Sequence, residues 1–207
     1  ITQALEHMPD IIISDVMMPE VGGFELCQAL KKDERTSHIP IILLTARADM
    51  DSRLEGLEYG ADAYLAKPFQ REELEIRLRK LIELRRKLQA RYSQPDFRQQ
   101  PATQKEDAFV LNVKERLLEN LDDDTFGIEE LSKELGLSRV HLYRKLKALT
   151  GKSTSHFIRQ VRLQEAYKLL RSGEFNVSEV AYKVGYKDPN FFTRIFSEYY
   201  GKPPSEV

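Results

Sequence analysis

The spacing of apolar and polar positions divides this chain into two parts of different character. In the first part, short apolar runs at residues 11–15, 40–45 and 61–66 are separated by stretches with a helical period. Continuous apolar strands between helices are typical of a parallel sheet that is covered on both faces. Helices are predicted at residues 23–32 and 51–59, and residues 1–8 are predicted to end another helix.

From residue 71 the pattern becomes one long, highly charged helix that fades near residue 92. Its leucines at 74, 78, 81 and 88 share one face, a spacing that is compatible with a two-helix seam. Arg85 occupies a position in that seam. The preferred interpretation is therefore that this helix packs against its own domain.

Residues 93–106 contain Pro and Gln without an apolar period, which is typical of a linker. After this segment the helical period continues from residue 107 to about 200, with no strand signal. The predicted organisation is an α/β domain at 1–92, a linker at 93–106 and an all-α domain at 107–207.

Net charge is −1, but the charge is distributed unevenly along the chain. Residues 1–70 lean acidic, whereas residues 139–171 are basic and contain one acidic residue, Glu165. This asymmetry suggests an anionic partner for the second part, and a solvated helix face is an equal alternative. No apolar run approaches the ~20 residues of a membrane span, so no membrane contact is expected. The single cysteine, Cys27, excludes an internal disulfide and fits a cytoplasmic location.

Residues at the ends of the apolar runs form an ordered series: Asp15, Met18-Pro19, Gly22-Gly23, Thr45, Tyr64 and Lys67-Pro68. This series resembles the receiver domain of two-component signalling. The family pattern is an Asp, a Met-Pro turn with Gly, then a Thr, an aromatic residue and Lys-Pro, in the same order and at the same spacing. Each element alone is common, and the joint spacing is specific.

The resemblance implies a role for each residue of this pattern. Asp15 would accept a phosphoryl group, Lys67 would neutralise its oxygens and Thr45 would donate a hydroxyl to them. Tyr64 would turn inward when Thr45 moves, and the Lys67–Pro68 bond is expected to be cis. Taken singly, these residues could equally be an N-capping Asp, a surface Lys and a core Tyr.

Part of the family pattern has no counterpart in this chain. The family begins with a strand that carries an acidic pair for Mg²⁺, and Glu6 and Asp10 lie on the wrong elements to replace it. We therefore expect a fragment with three of the usual five strands, and Mg²⁺ binding only in an intact receiver. The strand at residues 11–15 would then have an unpaired edge, which predicts self-association or local disorder in residues 1–70.

The chain contains an internal repeat, whose two copies are residues 128–146 and residues 177–196. Gly136 aligns with Gly185, Arg144 with Arg194, and Leu146 with Phe196. Each copy is a helix, a glycine turn and a second, capped helix, which is the helix-turn-helix layout. Ser138 and Asp188 are the predicted N-caps, and Pro189 stands at a first helical position.

The repeat and the helix predicted at residues 153–171 between its copies resemble the AraC/XylS DNA-binding domain. Leu142, Leu146 and Leu149 are expected to face inward in the first recognition helix, as are Phe192, Ile195, Phe196 and Tyr199 in the second. The predicted DNA-binding residues face outward: Arg139, Val140, Tyr143, Arg144, Lys147, Asn190, Thr193 and Arg194. A helical bundle without a DNA role is the alternative.

The combined pattern indicates a phosphorylation-controlled, sequence-specific DNA-binding transcription regulator of a two-component system. The expected partners are double-stranded DNA and a cognate histidine kinase or kinase domain. Two alternatives remain: the C-terminal output portion of a hybrid sensor histidine kinase, and a protein–protein adaptor. The four histidines, at 7, 38, 141 and 156, show no metal-ligand spacing. Neither enzymatic activity nor a cofactor is therefore expected of this chain.

Overall fold

The computed structural model describes residues 1–46, 60–92 and 105–207. They form two compact units, the first essentially residues 1–93 and the second essentially the rest of the chain. The helix predicted at residues 51–59 and most of the predicted linker lie outside the described residues. The first described helix after the linker begins at Lys105, two residues before the predicted start of the second domain.

The first unit contains a three-stranded parallel sheet, as the apolar runs predicted. Its strands are β1 (Ile12–Asp15), β2 (Ile41–Ala46) and β3 (Ala63–Lys67), in the order β1-β2-β3. The third strand begins two residues later than its apolar run. Asp62 turns the chain into it, because its carboxylate accepts the Ile41 amide at 2.8 Å and forms an ion pair with Lys31 at 2.8 Å.

Helices α1 (Thr2–His7) and α2 (Gly23–Lys32) confirm two of the helical predictions. Cys27 and Leu30 of α2 pack against Ile41 and Leu43 of β2, and these four side chains are fully buried or nearly so. The apolar stripe of α2 therefore covers one face of the sheet.

The long charged helix is α3 (Arg71–Tyr92). Arg85 donates a 2.9 Å hydrogen bond to the Asp10 carboxylate. Leu74, Leu78 and Leu81 are partly buried, and the side chain of Leu88 lies outside the described residues.

The described part of the second unit is entirely helical. Its elements are α4 (Lys105–Glu119), α5 (Ile128–Glu134), α6 (Arg139–Thr150), α7 (Thr154–Ser172), α8 (Val177–Lys183), α9 (Pro189–Tyr200) and a closing 3₁₀ turn at Pro204–Glu206. Helix α7 fills the interior between the repeat copies, and its Leu163 and Ala166 contact the buried side chains of α8 and α9.

Both copies of the repeat fold as predicted. Gly136 and Gly185 occupy the turns with φ of +63° and +74°, a left-handed conformation that glycine adopts without a Cβ penalty. Ser138 accepts the His141 amide at 3.2 Å and Asp188 accepts the Asn190 amide at 2.8 Å, so each recognition helix has its predicted N-cap. None of the described helices is both long and apolar enough to cross a membrane.

Candidate functional site

The first candidate site lies where the parallel strands end. Asp15 ends β1 and Lys67 ends β3, and the Lys67 ammonium forms an ion pair with the Asp15 carboxylate. This hydrogen bond, aided by the Met17 amide at 3.3 Å, holds the pKa of Asp15 below its ordinary value. Both side chains remain partly exposed. An ionised carboxylate with a neutralising cation is therefore accessible to solvent at this edge.

A glycine turn holds the start of α2 against this site. The Gly23 amide donates to the Val16 carbonyl at 2.9 Å, and a Cβ on Gly23 would lie 2.3 Å from the Asp15 carbonyl oxygen. No side chain fits at that distance. The glycine of the predicted turn is thus required by the close approach of α2 to the strand that carries Asp15.

Thr45 and Tyr64 lie beneath this edge. Thr45 is 2% exposed, and its hydroxyl donates to the Ala46 carbonyl at 3.3 Å. The Tyr64 hydroxyl is buried without a hydrogen-bond partner among the described residues, and burial raises its pKa to about 12. Tyr64 therefore already points inward, whereas its predicted movement with Thr45 stays a prediction. The predicted Lys67–Pro68 cis bond is confirmed.

The described residues do not form a metal site beside Asp15. No group of three or more His, Cys, Asp or Glu side chains within them is placed to hold a metal ion. Hard divalent cations such as Mg²⁺ are usually bound by carboxylates that converge on them. The side chains described here therefore do not fit Mg²⁺ by themselves.

The second candidate site is the outer face of α6. Leu142, Leu146 and Leu149 are buried as predicted, whereas Val140 and Tyr143 are 55% and 46% exposed. The charged positions on this face are Arg139 and Lys147, both exposed, and Arg144, which is half-buried. Arg139 pairs with Glu129 at 2.6 Å, and Lys147 donates to the Gly151 carbonyl at 2.8 Å.

The matching face of α9 presents Asn190 and Arg194, both exposed. Thr193 is half-buried, and its hydroxyl donates a 2.9 Å hydrogen bond to the Pro189 carbonyl in the same helix. Phe192, Ile195 and Phe196 are buried as predicted. The inward prediction for Tyr199 is wrong. It is 41% exposed and meets the ring of Tyr200 edge-on at 4.8 Å, and it is Tyr200, the next residue, that packs against the core.

Phe191 is an outward residue that the sequence analysis did not assign. Its ring is 41% exposed, and the Arg194 guanidinium lies over it at 5.2 Å. The signal for it was an apolar residue three positions before an outward arginine. The structure thus gathers the predicted residues on two recognition faces and adds one aromatic ring.

Comparison with known families identifies both parts of the chain. The model of the response regulator receiver domain matches residues 1–79, and a helix-turn-helix domain model matches residues 131–207. These ranges contain Asp15 with Lys67 and both glycine turns, respectively.

Individual relatives match one part or both. "Histidine kinase P4" of Formosa agariphila is 36% identical over 98% of this chain and 15% of its own length. The regulator RpaA of Synechocystis is 46% identical over 38% of this chain and 33% of its own length. The solved C-terminal domain of the response regulator yesN from Fusobacterium nucleatum has 29% identity, covers 50% of this chain and 97% of that chain, and gives a TM-score of 0.45.

The chain spans about a third or less of the length of these two curated relatives. The first matched range lies within the α/β unit, and the second covers the C-terminal part of the helical unit. Residues 1–79 therefore match a response regulator receiver domain, and residues 131–207 match an AraC-type helix-turn-helix domain.

Proposed function

We propose that this chain is the DNA-binding part of a two-component transcription regulator whose sequence-specific binding is controlled by phosphorylation of Asp15. The observation that carries the proposal is a combination. One chain holds an ionised, lysine-paired aspartate at the strand ends and two capped recognition helices with arginines on their outer faces.

The chemistry proposed for Asp15 is self-modification. A carboxylate oxygen of Asp15 attacks the phosphorus of a phosphodonor, the donor's leaving group departs, and an acyl phosphate remains on the chain. Lys67 then pairs with the phosphoryl oxygens in place of the carboxylate. Thr45 reaches those oxygens only if its hydroxyl leaves the Ala46 carbonyl. In this proposal the kinase is the partner, and the chain is not an enzyme.

The DNA contacts proposed for the second unit follow from the side chains on each face. Arginine donates two hydrogen bonds to the guanine edge, and asparagine donates one to adenine and accepts one from it, so Arg144, Arg194 and Asn190 are the proposed base readers. Lys147 and the helix N-termini suit phosphate contacts. Arg139 takes part once it exchanges Glu129 for DNA, which is a small change for an exposed ion pair.

In vitro selection from a random duplex library tests the DNA proposal. We expect the chain to enrich one motif and to bind it with an affinity that falls steeply with salt, because phosphate contacts release counterions. The Arg144→Ala/Arg194→Ala double variant is the control and should enrich no motif. Salt-independent binding would support the adaptor alternative, whereas the same enrichment by the control would show that these arginines are not the base readers.

Intact mass measurement tests Asp15 as the phosphorylation site and the need for further Mg²⁺ ligands. Incubated with Mg²⁺ and a small phosphodonor, the chain should gain little phosphate, because the described residues form no acidic cluster beside Asp15. Any adduct should be absent from Asp15→Asn. Rapid and complete phosphorylation of Asp15 would contradict the prediction that Mg²⁺ requires an intact receiver, and an adduct on the variant would contradict the site.

Self-association is proposed through the free side of β1. In the described sheet β1 is an edge strand. The Ile12 amide donates to the Pro40 carbonyl just before β2, and the Val16 amide donates to the Leu44 carbonyl of β2. Ile13, between them, is exposed. An open edge of this kind pairs readily with another chain. Sedimentation should show a concentration-dependent dimer. A monomer with protected amides at Ile13 in hydrogen exchange would contradict it.

A second candidate is the output portion of a hybrid sensor histidine kinase. The observation that favours it is that the likeness to "Histidine kinase P4" runs through both units, whereas the likeness to RpaA stops at 38% of the chain. The coding sequence upstream of the Ile1 codon decides between the two. A kinase core in the same reading frame supports the hybrid, and a short receiver start supports a free regulator.

A further inference from the structure

One buried side chain connects the two helix-turn-helix units. Arg162 lies in the middle of α7 and is 8% exposed. Its guanidinium donates to the Gly185 carbonyl at 2.6 Å, the Asp123 carbonyl at 2.8 Å and the Phe126 carbonyl at 3.1 Å. Gly185 forms the turn of the second helix-turn-helix copy, and the other two residues belong to the loop that leads into α5 of the first copy. A single residue therefore bonds to the backbone of both copies.

The loop and the turn are also in direct contact around this arginine. A Cβ on Gly185 would lie 2.6 Å from the Leu121 carbonyl oxygen and 2.7 Å from the Arg162 guanidinium. At the surface, Lys187 and Asp124 form a 3.1 Å ion pair between the same two segments. These contacts leave little space in which the turn could shift relative to the loop.

The buried charge of Arg162 makes this joint, the contact between the Gly185 turn and the loop before α5, costly to open. Burial lowers the pKa of Arg162, while Tyr186, Asp123 and Asp124 act in the opposite direction. Arginine nevertheless keeps its charge in proteins, so the guanidinium needs its hydrogen bonds in the interior. Moving the turn away from the loop would leave a buried charge and buried carbonyls without partners, which is costly.

We infer that Arg162 is a positioning residue that fixes the rotation between the two recognition helices and thereby sets the spacing of the two DNA segments. The inference rests on the proposed DNA binding. Each base pair added between two segments rotates one relative to the other by about 34° and moves it by about 3.4 Å. A rigid joint tolerates one spacing, and a loosened joint tolerates several with weaker binding at the best one.

The test uses the full chain and the motif from the selection experiment, with one base pair added or removed between its halves. Two linked modules that bind together gain roughly 10²-fold or more over one module, and lose the gain when geometry prevents joint binding. The wild type should lose most of that gain at either altered spacing. Arg162→Met should bind the correct duplex about 10-fold more weakly and show less than about a 3-fold spacing effect.

The deciding readout is binding to duplexes that keep only one half of the motif. Arg162→Met should match the wild type on each of them, because neither recognition face is altered. Arg116→Met, an arginine whose contacts to Glu119 and Glu134 stay within α4 and α5, should keep the wild-type spacing effect. Arg162→Lys keeps a charge with fewer donors, and it carries the test if the methionine variant fails to fold.

Two outcomes would overturn the inference. One is an unchanged spacing effect in folded Arg162→Met and Arg162→Lys. The other is an equal loss on half-motif and full-motif duplexes, which a general structural role would produce. Failure of the wild type to select any motif would instead overturn the proposed function.

Discussion

The two helix-turn-helix copies make the same glycine turn in different surroundings. Both use a left-handed glycine between helices, yet Gly136 has no atom within 4 Å of an added Cβ, whereas Gly185 faces the Leu121 carbonyl and Arg162. The same residue thus satisfies only a backbone requirement in one unit and a packing requirement as well in the other. A repeated sequence does not imply repeated energetics.

The recognition helices differ in a second way. The outer face of α6 combines Val140 and Tyr143 with cations that have partners in the protein, namely Arg139 and Lys147. On the outer face of α9, the Arg194 guanidinium lies over the aromatic ring of Phe191. Equivalent positions in the fold therefore present different chemistry, and two different base sequences are expected beneath them.

Alanine at the two turn glycines gives the largest expected contrast. Gly136→Ala should lower the free energy of unfolding by about 1–2 kcal/mol, the penalty of a left-handed alanine. Gly185→Ala should lower it by about 3 kcal/mol or more, since strain and a backbone clash are combined. Urea unfolding of the full chain, followed by far-ultraviolet circular dichroism, measures both. Equal losses would contradict the difference between the turns.

Alanine at the two outward arginines should separate the recognition helices by sequence. Arg144→Ala and Arg194→Ala should each cost roughly 1–3 kcal/mol on the selected motif and relax preference at different base pairs. Titration against a library of motif variants at two salt concentrations provides the measurement. If both variants keep the wild-type preferences, these arginines are not the base readers.

The apolar residues on each face give a smaller effect that depends on thymine. Apolar side chains contact the C5-methyl group of thymine, and one buried methyl group is worth about 0.8 kcal/mol. Replacing thymine by deoxyuridine under α9 should weaken the wild type by that amount and leave Phe191→Ala unaffected. Val140→Ala makes the same comparison under α6. An equal deoxyuridine effect in variant and wild type would exclude the contact.

Lys147 should give the smallest change and one without sequence preference. As a phosphate contact, Lys147→Ala should weaken binding alike on all sequences and lower the salt slope by about 1. Its bond to the Gly151 carbonyl is exposed, so stability should change little. Glu198→Ala on α9 is a control of opposite sign, because it removes an exposed acidic group instead of a cation and should not weaken binding. A change in base preference on Lys147→Ala would assign that residue to base reading.

The meeting of Asp15 and Lys67 was predictable from the sequence, because parallel strands bring their carboxyl ends to one edge. The caps at Ser138 and Asp188 were predictable for a local reason, since capping depends on residues two or three positions apart. The role of Arg162 was not predictable from the sequence. Its three carbonyl acceptors lie 23 to 39 residues away, and local sequence does not show which backbone groups a buried guanidinium meets.

The errors have a similar physical origin. Helical period predicts a face but not which residue at its margin meets the core, so Tyr199 was placed inward although Tyr200 makes that contact. The start of β3 depended on the Asp62 side chain, whose partners, Ile41 and Lys31, are distant in sequence. The outward position of Phe191 contradicts its apolar character and follows from the packing of Phe192 beside it.

If the chain binds DNA as proposed, a connection that fixes two unlike recognition faces on one chain also gives the bound DNA a direction. Two identical faces related by symmetry would read a palindrome and look the same from both ends. Because α6 and α9 present different side chains, the site of one chain would not be its own reverse complement. Reversing that site on a promoter would then turn the chain around, and the surface that faced the neighbouring transcription machinery would face away from it.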